Sequence, residues 1–463
     1  MWFIVLCSTL PWLAGGVALS LVFANALRKP GYLALCLGVG GLLGIIGTSL
    51  LTIAATQLGI SLLAPWPLIV LGLIFVASSL RLAHIAPPRG TDYGNTPQLG
   101  AIALAAFAYV FAIAGINVWQ VVWVPAAGWD TLWYWAEISQ NFIHTIQTNP
   151  IPRWEHEQTH PSTVAIISTW SAAQIPSAGG IGPVYFSWWL TWISIILMVY
   201  GYTKAITNNT STSALVAASS ASVPLLTNHA LLGGYAEIFL SAGIAGATAL
   251  LTLSLKEHNR ALALLGLVLV LTCTTLKNTG FIFGSCVVLG YLACLAINRG
   301  LGRWLIGLLA VLALSAGLLV ITAGEQKISL EIGSRQLTLE LANAPFIFRN
   351  ELISLFYNAS FSIAALLLLA PIMICGISGA RQKKMDLSLL MPWVTSLILL
   401  GILCASQLTD YGFLYAIPGN DTGNSRLSLP LMVCTLLIVG PLWVNLTSNE
   451  YPAPMSRVSS VNS

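Results

Sequence analysis

The feature that most constrains this chain is a succession of apolar runs, each about 18 to 25 residues long, that fills most of its length. A helix of that length crosses a hydrocarbon core of about 30 Å. Charged residues make up only 7% of the chain, whereas they make up roughly a quarter of a soluble protein, so most of the surface must face lipid. A porin-type barrel would show alternating segments of about ten residues instead, and the sequence has no such pattern. The runs therefore predict an all-α polytopic membrane protein.

The runs predict about thirteen transmembrane helices, four of them in residues 1–122 and nine in residues 181–447. Between these two units lies a polar segment, 123–180, and after them a Ser-rich tail, 448–463, which we expect to be disordered. The eight cysteines all fall within apolar runs, which favours buried thiols over disulfides or metal ligands. The predicted spans are 3–26, 31–55, 62–83, 98–122, 181–203, 209–227, 236–255, 259–276, 280–297, 303–323, 351–378, 387–406 and 427–447.

The Lys and Arg residues are distributed unevenly between alternate loops, and this bias predicts the orientation. Thirteen of the nineteen fall in one set of loops, which is assigned to the cytoplasm because basic residues near span ends stay on that side. The N-terminus has no basic region before its apolar stretch, so we expect a retained first span that starts outside, and a cytoplasmic C-terminal tail. The longer loops 123–180, 324–350 and 407–426 then lie on the periplasmic or extracellular face of a cell membrane, where we expect any chemistry to occur.

The external segment 123–180 opens with Trp129 and Asp130. After them, apolar residues recur at mostly helical spacing up to residue 143, which predicts a helix lying in the membrane interface. A second interfacial helix is expected over residues 161–174, which are too few to span. Asp130 has two compatible interpretations. It caps the first helix, or it is a carboxylate that serves as a general base or a metal ligand near the membrane surface.

A dense group of charged residues follows in the same segment, made up of Arg153, Glu155, His156, Glu157 and His160. The carboxylates and imidazoles in this group could supply ligands for a divalent cation, but they match no fixed zinc spacing. A solvated polar loop is the simpler interpretation for most of them. We therefore assign no metal ligand and leave the cofactor open.

Two further signals lie at predicted external ends of spans. The sequence Gly234-Tyr235-Ala236-Glu237 places a carboxylate at the start of a span, where it is either a helix cap or a functional group. The sequence Lys277-Asn278-Thr279-Gly280 interrupts two apolar runs with a lone cation. A turn explains the glycine and the asparagine but does not require the lysine.

The late external loops carry two more features. In the loop 324–350, apolar residues alternate with polar ones from residue 328 to 341, which predicts a small β-hairpin that is structural or covers a substrate. In the loop 407–426, Asn424 and Arg426 immediately precede the last span. Arg426 either snorkels to lipid headgroups or binds a lipid-linked phosphate with both arms of its guanidinium.

In order and topology, these motifs resemble the GT-C superfamily of membrane glycosyltransferases, which use polyprenyl-phosphate-linked sugars and include protein mannosyltransferases and aminoarabinose transferases. The resemblance covers most of the chain from about residue 123. It rests on Trp129-Asp130 at the start of an external segment with interfacial helices, on His160-Pro161 before a short apolar helix, and on the sequences that end in Glu237, Gly280 and Arg426.

The resemblance implies transfer of a sugar from a polyprenyl-phosphate donor to a glycan, lipid or protein acceptor on the outer face of the membrane, with inversion at the anomeric carbon. Asp130 would be the catalytic base, and Lys277 and Arg426 would bind the donor phosphate. The remaining residues that the resemblance assigns to substrate binding are Trp129, His160, Glu237, Asn278 and Asn424.

Two other functions stay open on the sequence. One is a transporter or flippase for a lipid-linked sugar, although such proteins often have inverted repeats and ionisable residues near the bilayer midplane, and we find neither. The other is a non-catalytic component of a polysaccharide-assembly complex. The basic residues are scattered rather than clustered, so nothing indicates a nucleic-acid partner.

Overall fold

The computed structural model describes residues 2–58, 60, 66–85, 100–124, 126–127, 161, 163–173, 185–298, 320–324, 327–332, 335–340, 366–370, 387–407 and 422–447. The described helices are α1 (Trp2–Val22), α2 (Tyr32–Gln57), α3 (Trp66–Ile85), α4 (Ala101–Trp123), α5 (Thr163–Ala173), α6 (Phe186–Thr207), α7 (Thr210–Ala221), α8 (Pro224–Leu231), α9 (Glu237–Glu257), α10 (Arg260–Leu276), α11 (Asn278–Asn298), α12 (Leu387–Gln407) and α13 (Thr422–Thr447). Residues 366–370 are also helical.

Eight of these helices are long and apolar enough to cross a membrane: α1, α2, α3, α4, α6, α9, α11 and α12. Two further stretches, Arg260–Leu276 and Ser428–Trp443, are apolar but shorter. The chain therefore has the architecture of a helical membrane protein. The predicted number of thirteen spans stays a prediction, since most of the residues in 303–323 and 351–378 lie outside the described part of the chain.

Helix α9 is the centre of the bundle. Every residue from Glu237 to Leu255 is buried, and α6, α10, α12 and α13 pack around it. Many of its side chains are Ala, Gly, Ser or Thr, which let neighbouring helix backbones approach closely. The hydroxyls of Ser241, Thr248 and Thr252 donate to carbonyls four residues earlier, so these groups are paired inside the helix.

Helices α6, α9 and α13 run in the same direction. Trp188, near the start of α6, stacks edge-on against Phe239, near the start of α9, with ring centroids 4.8 Å apart. In the middle of the bundle the Oγ1 atom of Thr248 lies 3.8 Å from the Sγ atom of Cys434. Further on, Gly440 of α13 lies against Thr203, near the end of α6.

Helices α2 and α10 run in the opposite direction. The first residues of α2 lie against the last part of α6, and Cys273, near the end of α10, lies beside Gly243, near the start of α9. We call the two ends of the bundle the Glu237 end and the Glu257 end, after the first and last residues of α9. The directions agree with the alternation of spans that the charge distribution predicts.

The predicted span 209–227 is wrong as a single helix. The chain forms α7, of 12 residues, and α8, of 8 residues, with a break at Ser222 and Val223. Pro224 begins the second helix, because proline has no N–H to continue a helix but fits its first turn. The hydroxyls of Ser222 and Tyr109 are hydrogen-bonded to each other, and Tyr109 lies in the middle third of α4, so the break lies at about mid-depth in the bundle.

A three-stranded antiparallel sheet consists of β3 (Val320–Gly324), β4 (Lys327–Ile332) and β5 (Arg335–Glu340), with β4 in the middle. Here β1 and β2 denote a shorter pair, Ala126–Ala127 and Leu232–Gly233, described below. Strands β4 and β5 confirm the predicted hairpin. The predicted span 303–323 is too long, because its last four residues, 320–323, belong to strand β3 and are not helical. Residues 320–324 pair with β4, so the end of this apolar run forms a strand of the sheet.

Candidate functional site

A buried ion pair lies at the Glu237 end of the bundle. The Nζ atom of Lys277 is 2.6 Å from the Oε1 atom of Glu237. The side chain of Glu237 is 2% exposed and that of Lys277 is 14% exposed. A buried charge is destabilising unless it is paired with an opposite charge, so each of the two residues compensates the charge of the other. Glu237 is also the first residue of α9, where the helix dipole favours a carboxylate.

The backbone around Lys277 is fixed by a tight connection between α10 and α11. Lys277 is extended, with φ −160° and ψ 150°, and its carbonyl accepts a hydrogen bond from the N–H of Gly280 at 2.8 Å. A side chain at Gly280 would collide with the carbonyl of Cys273 in the last turn of α10. Glycine at this position therefore allows the two antiparallel helices to approach, which sets the direction from which Lys277 reaches Glu237.

The backbone of the turn that precedes Glu237 is also fixed, by a glycine conformation and a buried hydrogen bond. Gly234 has φ +98°, a conformation that residues with side chains rarely adopt. The indole Nε1–H of Trp188, which is fully buried, donates to the carbonyl of Tyr235 at 2.9 Å. The local sequence Gly-Gly-Tyr-Ala-Glu is thus a fixed turn that delivers the carboxylate to the first turn of α9.

A short parallel pairing joins this turn to the start of the segment 123–180. Strand β1 pairs with β2 so that Ala126 is opposite Leu232 and Ala127 is opposite Gly233. The chain therefore passes beside the turn of Glu237 immediately before it reaches Trp129 and Asp130. These two residues and His160 lie outside the described residues.

The second predicted helix of that segment is confirmed as α5, an 11-residue helix that packs on α1 and α2. Its Trp170 donates from Nε1 to the carbonyl of Cys7 at 3.3 Å. Cys7 lies in the first part of α1, and α1 leads to Lys29, which contacts Glu257 at the opposite end. Helix α5 therefore lies toward the Glu237 end. The first predicted interfacial helix lies outside the described residues.

Arg426 and Asn424 belong to the first turns of α13, where the structure describes the backbone but not the side chains. Cys434 follows Arg426 by eight residues, and Thr248 follows Leu240 by eight residues. Since α9 and α13 run in the same direction and rise about 1.5 Å per residue, the backbone of Arg426 lies near the level of Leu240, about one turn from Glu237. Both residues are therefore at the Glu237 end.

Asn278, the first residue of α11, is exposed beside Lys277. Of the predicted site residues, the structure thus brings Glu237 and Lys277 into contact, with Asn278 adjacent, and places the backbones of Asn424 and Arg426 at the same end.

Sequence reasoning missed His229. This side chain is buried in α8, its Nδ1 atom lies 2.9 Å from the carbonyl oxygen of Leu225, and its ring packs against Tyr235 with centroids 5.4 Å apart. A carbonyl only accepts hydrogen bonds, so Nδ1 carries a proton. A signal was available: His229 and the neighbouring asparagine are polar residues in the short, mostly apolar stretch between the predicted spans 209–227 and 236–255.

Tyr185, just before α6, packs edge-on against Trp188, with ring centroids 5.3 Å apart. Among the described residues, no group of three His, Cys, Asp or Glu side chains could hold a metal ion. The charged chemistry of this end, as far as it is described, is that of a carboxylate and an ammonium group.

These features define a helical membrane protein with a rigidly built ion pair at one end of its central helix. Comparison with models of protein families, with curated proteins and with solved structures finds no match for this chain.

Proposed function

We propose that this protein is a glycosyltransferase that moves a sugar from a polyprenyl-phosphate-linked donor to an acceptor on the outer face of a cell membrane. The observation that carries the proposal is the Glu237–Lys277 pair, a cation held in a nearly dry position at a bundle end, next to the strand that leads into Trp129 and Asp130. The turn itself does not require a lysine, and an ammonium group fixed at a bundle end is suited to a charge-assisted hydrogen bond with a lipid phosphate.

The role proposed for each residue follows from the charge of its side chain. Lys277 and Arg426 bind the donor phosphate and stabilise it as it departs, because positive groups fixed in a water-poor site are most effective against developing negative charge. Glu237 holds the ammonium group of Lys277 in place. Asn278 and Asn424 are near enough in sequence to these cations to bind the phosphate or the sugar.

In the reaction, the bond between the anomeric carbon and the phosphate oxygen breaks, and a bond from that carbon to the acceptor hydroxyl oxygen forms on the opposite face. Asp130 accepts the proton of the hydroxyl, and the electron pair of the broken bond leaves with the lipid phosphate. Asp130 follows Ala127 by three residues, and three residues span at most about 11 Å, so Asp130 can reach the turn of Glu237. Trp129 stacks on a sugar face, and His160 orients the sugar or the acceptor.

The test is transfer from a radiolabelled polyprenyl-phosphate sugar by the purified protein in membranes that contain candidate acceptors. The wild type is compared with Asp130→Asn. Transfer that collapses in the variant, while donor binding is retained, supports the proposal and the assignment of the base. If neither protein transfers the sugar although both bind the donor, the proposal fails.

One observation favours a second candidate, a transporter or flippase for a lipid-linked sugar. Helices α7 and α8 form a discontinuous pair, and broken helices are a common element of transporter binding sites. The described ion pair nevertheless lies at a bundle end rather than near mid-depth, which suits surface chemistry better than alternating access. Movement of the labelled lipid across liposomes without transfer would select the transporter.

A further inference from the structure

Four exposed cations lie in two connections at the Glu257 end of the bundle. Arg28 and Lys29 belong to the connection between α1 and α2, and Lys256 and Arg260 flank the connection between α9 and α10. The one carboxylate in residues 23–31 and 256–260 is Glu257, so four cations and one carboxylate give these two stretches a net charge of +3 with histidine neutral. We call the four cations the basic patch.

Lys29 joins the two connections through a residue that is 228 positions away in the sequence. Its Nζ atom lies 2.6 Å from the Oε2 atom of Glu257 and 5.8 Å from the ring centroid of Tyr32. Because Arg28 and Lys256 are the sequence neighbours of this pair, their backbones are brought together as well. The patch is therefore built by contact between distant segments, whereas the general bias of basic residues toward one end of membrane spans requires no such contact.

The backbones of both connections are fixed. Gly31 has φ +82°, and a side chain at this position would collide with the carbonyl of Gly201 on α6. In the other connection, His258 ends α9 in the left-handed conformation, with φ 53°, and the side chain of Asn259 caps the first turn of α10. The cations of the patch are therefore attached to backbone that is held in place on both sides.

Exposed apolar side chains border the patch on three helices. Val22 ends α1 and Leu33 lies in the first turn of α2, and they are 76% and 48% exposed. Leu264, which is four residues after Arg260 on α10, is 66% exposed. Four residues of helix rise about 6 Å, so charge gives way to apolar surface over a short distance. A lipid with an anionic headgroup and acyl chains matches this order of charged and apolar surface, whereas a water-soluble anion matches only the charge.

We propose that the basic patch binds the headgroup of an anionic phospholipid of the bilayer, whose acyl chains lie along the exposed apolar side chains of α1, α2 and α10. Basic side chains near a membrane surface attract anionic lipids. Among the described residues, Lys29 is the member of the patch that forms an ion pair, so Lys29 holds the two connections together and Arg28, Lys256 and Arg260 bind the phosphate. This lipid is structural, and the inference is independent of the proposed function.

Two other features of the Glu257 end provide matched controls. Lys204 lies at this end but is bonded within the chain, since its Nζ atom donates to the carbonyl of Asn208 and to the hydroxyl of Thr210, both at 2.9 Å. Helix α4 begins at this end, because Gly100 lies beside Ser211 at the start of α7, and the sequence of α4 contains no charged residue. The first control is a cation outside the patch, and the second is an exposed apolar helix without one.

The test uses a photoactivatable amino acid in place of Leu264, or in place of Leu104 on α4 as the matched control. Both leucines lie within the first five residues of their helices and are exposed, at 66% and 54%. The full-length protein is placed in phosphatidylcholine vesicles that contain a small fraction of radiolabelled phosphatidylglycerol or, separately, of radiolabelled phosphatidylcholine. We expect the ratio of phosphatidylglycerol labelling to phosphatidylcholine labelling to be at least about tenfold higher at residue 264 than at residue 104.

Replacing Arg28, Lys256 and Arg260 together with Gln should bring the ratio at residue 264 down to that at residue 104, whereas Lys204→Gln should leave it unchanged. Labelling by phosphatidylcholine reports whether each variant is folded. Should the triple variant not fold, Arg260→Gln alone is read in its place and should lower the ratio about fivefold.

Equal ratios at the two positions, or a high ratio at residue 264 that survives the loss of the three cations, would overturn the proposal. Loss of the preference when inorganic phosphate replaces chloride at constant ionic strength would also overturn it, in favour of a site for a water-soluble anion.

Discussion

Two Lys–Glu pairs lie at opposite ends of α9, and they have the same N–O distance, 2.6 Å. At the Glu257 end, the side chain of Lys29 is 53% exposed and that of Glu257 is 19% exposed, and Lys29 also lies 5.8 Å from the ring centroid of Tyr32. At the Glu237 end, both partners are nearly dry. The helix between them is about 30 Å long, so the two pairs are separated by about the thickness of a hydrocarbon core.

The difference teaches that the contact distance says little about what an ion pair does. A solvated ion pair stabilises the fold little, because water competes for both charges. Removing it lowers the free energy of unfolding by about 0–1 kcal/mol. A buried pair adds little net stability, because the attraction between the charges is offset by their desolvation. An unpaired buried charge is strongly destabilising, so removing one partner lowers the free energy of unfolding by about 3–5 kcal/mol. The pair at the Glu237 end also has fixed backbones on both sides, at Gly234 and at Gly280, as a binding site requires.

The largest expected effect is at the dry pair. Glu237→Leu alone, or Lys277→Met alone, should lower the free energy of unfolding by about 3–5 kcal/mol, because each leaves a buried charge without its partner. The double variant should recover most of that loss. Unfolding in detergent micelles measures all three. Additive losses in the double variant would break the comparison, since they would mean that the two side chains do not depend on each other.

Gly280→Ala is expected to have the next largest effect, because the new side chain meets the carbonyl of Cys273 and the helices must move apart. Overpacking of this kind costs about 1–3 kcal/mol. Gly115→Ala on α4, where nothing lies near the new side chain, is the matched control and should leave stability unchanged or raise it slightly. Thermal unfolding of both variants is the measurement, and a similar loss from each would contradict the close approach.

Two buried aromatic side chains, one toward each end of the bundle, donate hydrogen bonds to carbonyls, and replacing them compares the two ends without removing a charge. Trp188 donates to the carbonyl of Tyr235 at the Glu237 end, and Tyr202 donates to the carbonyl of Ser388 toward the Glu257 end, at 2.7 Å. Replacing either with Phe should cost about 1–3 kcal/mol, because a buried hydrogen bond is lost. Only Trp188→Phe should also weaken binding of polyprenyl phosphate. Equal effects of both variants on binding would mean that the turn of Glu237 has no special role.

The smallest effect is expected at the solvated pair. Lys29→Met and Glu257→Gln should each change the free energy of unfolding by about 0–1 kcal/mol, and the change should shrink further as salt is added. Unfolding at low and high ionic strength provides the check. A loss as large as that of Lys277→Met would show that exposure does not distinguish the two ends.

Hydropathy and charge were sufficient to predict the eight long apolar helices that the structure describes, because a lipid-facing surface permits few sequences and the basic residues mark the span ends. The break between α7 and α8 was missed, although Pro224 was visible, because apolar composition alone does not show where a helix is interrupted. The β1–β2 pairing could not be predicted, since two residues on each side carry no pattern.

For the site, the sequence placed Glu237 and Lys277 at the same end but could not show their contact, which depends on how α9 and α10 pack through Gly243 and Cys273. His229 was missed because a single histidine in an apolar stretch looks like any other buried polar residue. The contact between Glu237 and Lys277 depends on packing between segments that are 40 residues apart, and one sequence does not show that packing.

The central claim is that function resides at the Glu237 end and not at the Glu257 end. The most direct measurement is the affinity of the protein in vesicles for polyprenyl phosphate, with Lys277→Met compared with Lys29→Met. The same change in charge is made at each end of the same helix. We predict that Lys277→Met weakens binding at least about tenfold and that Lys29→Met leaves it unchanged. Unchanged binding in Lys277→Met, or an equal loss in both variants, would contradict the claim.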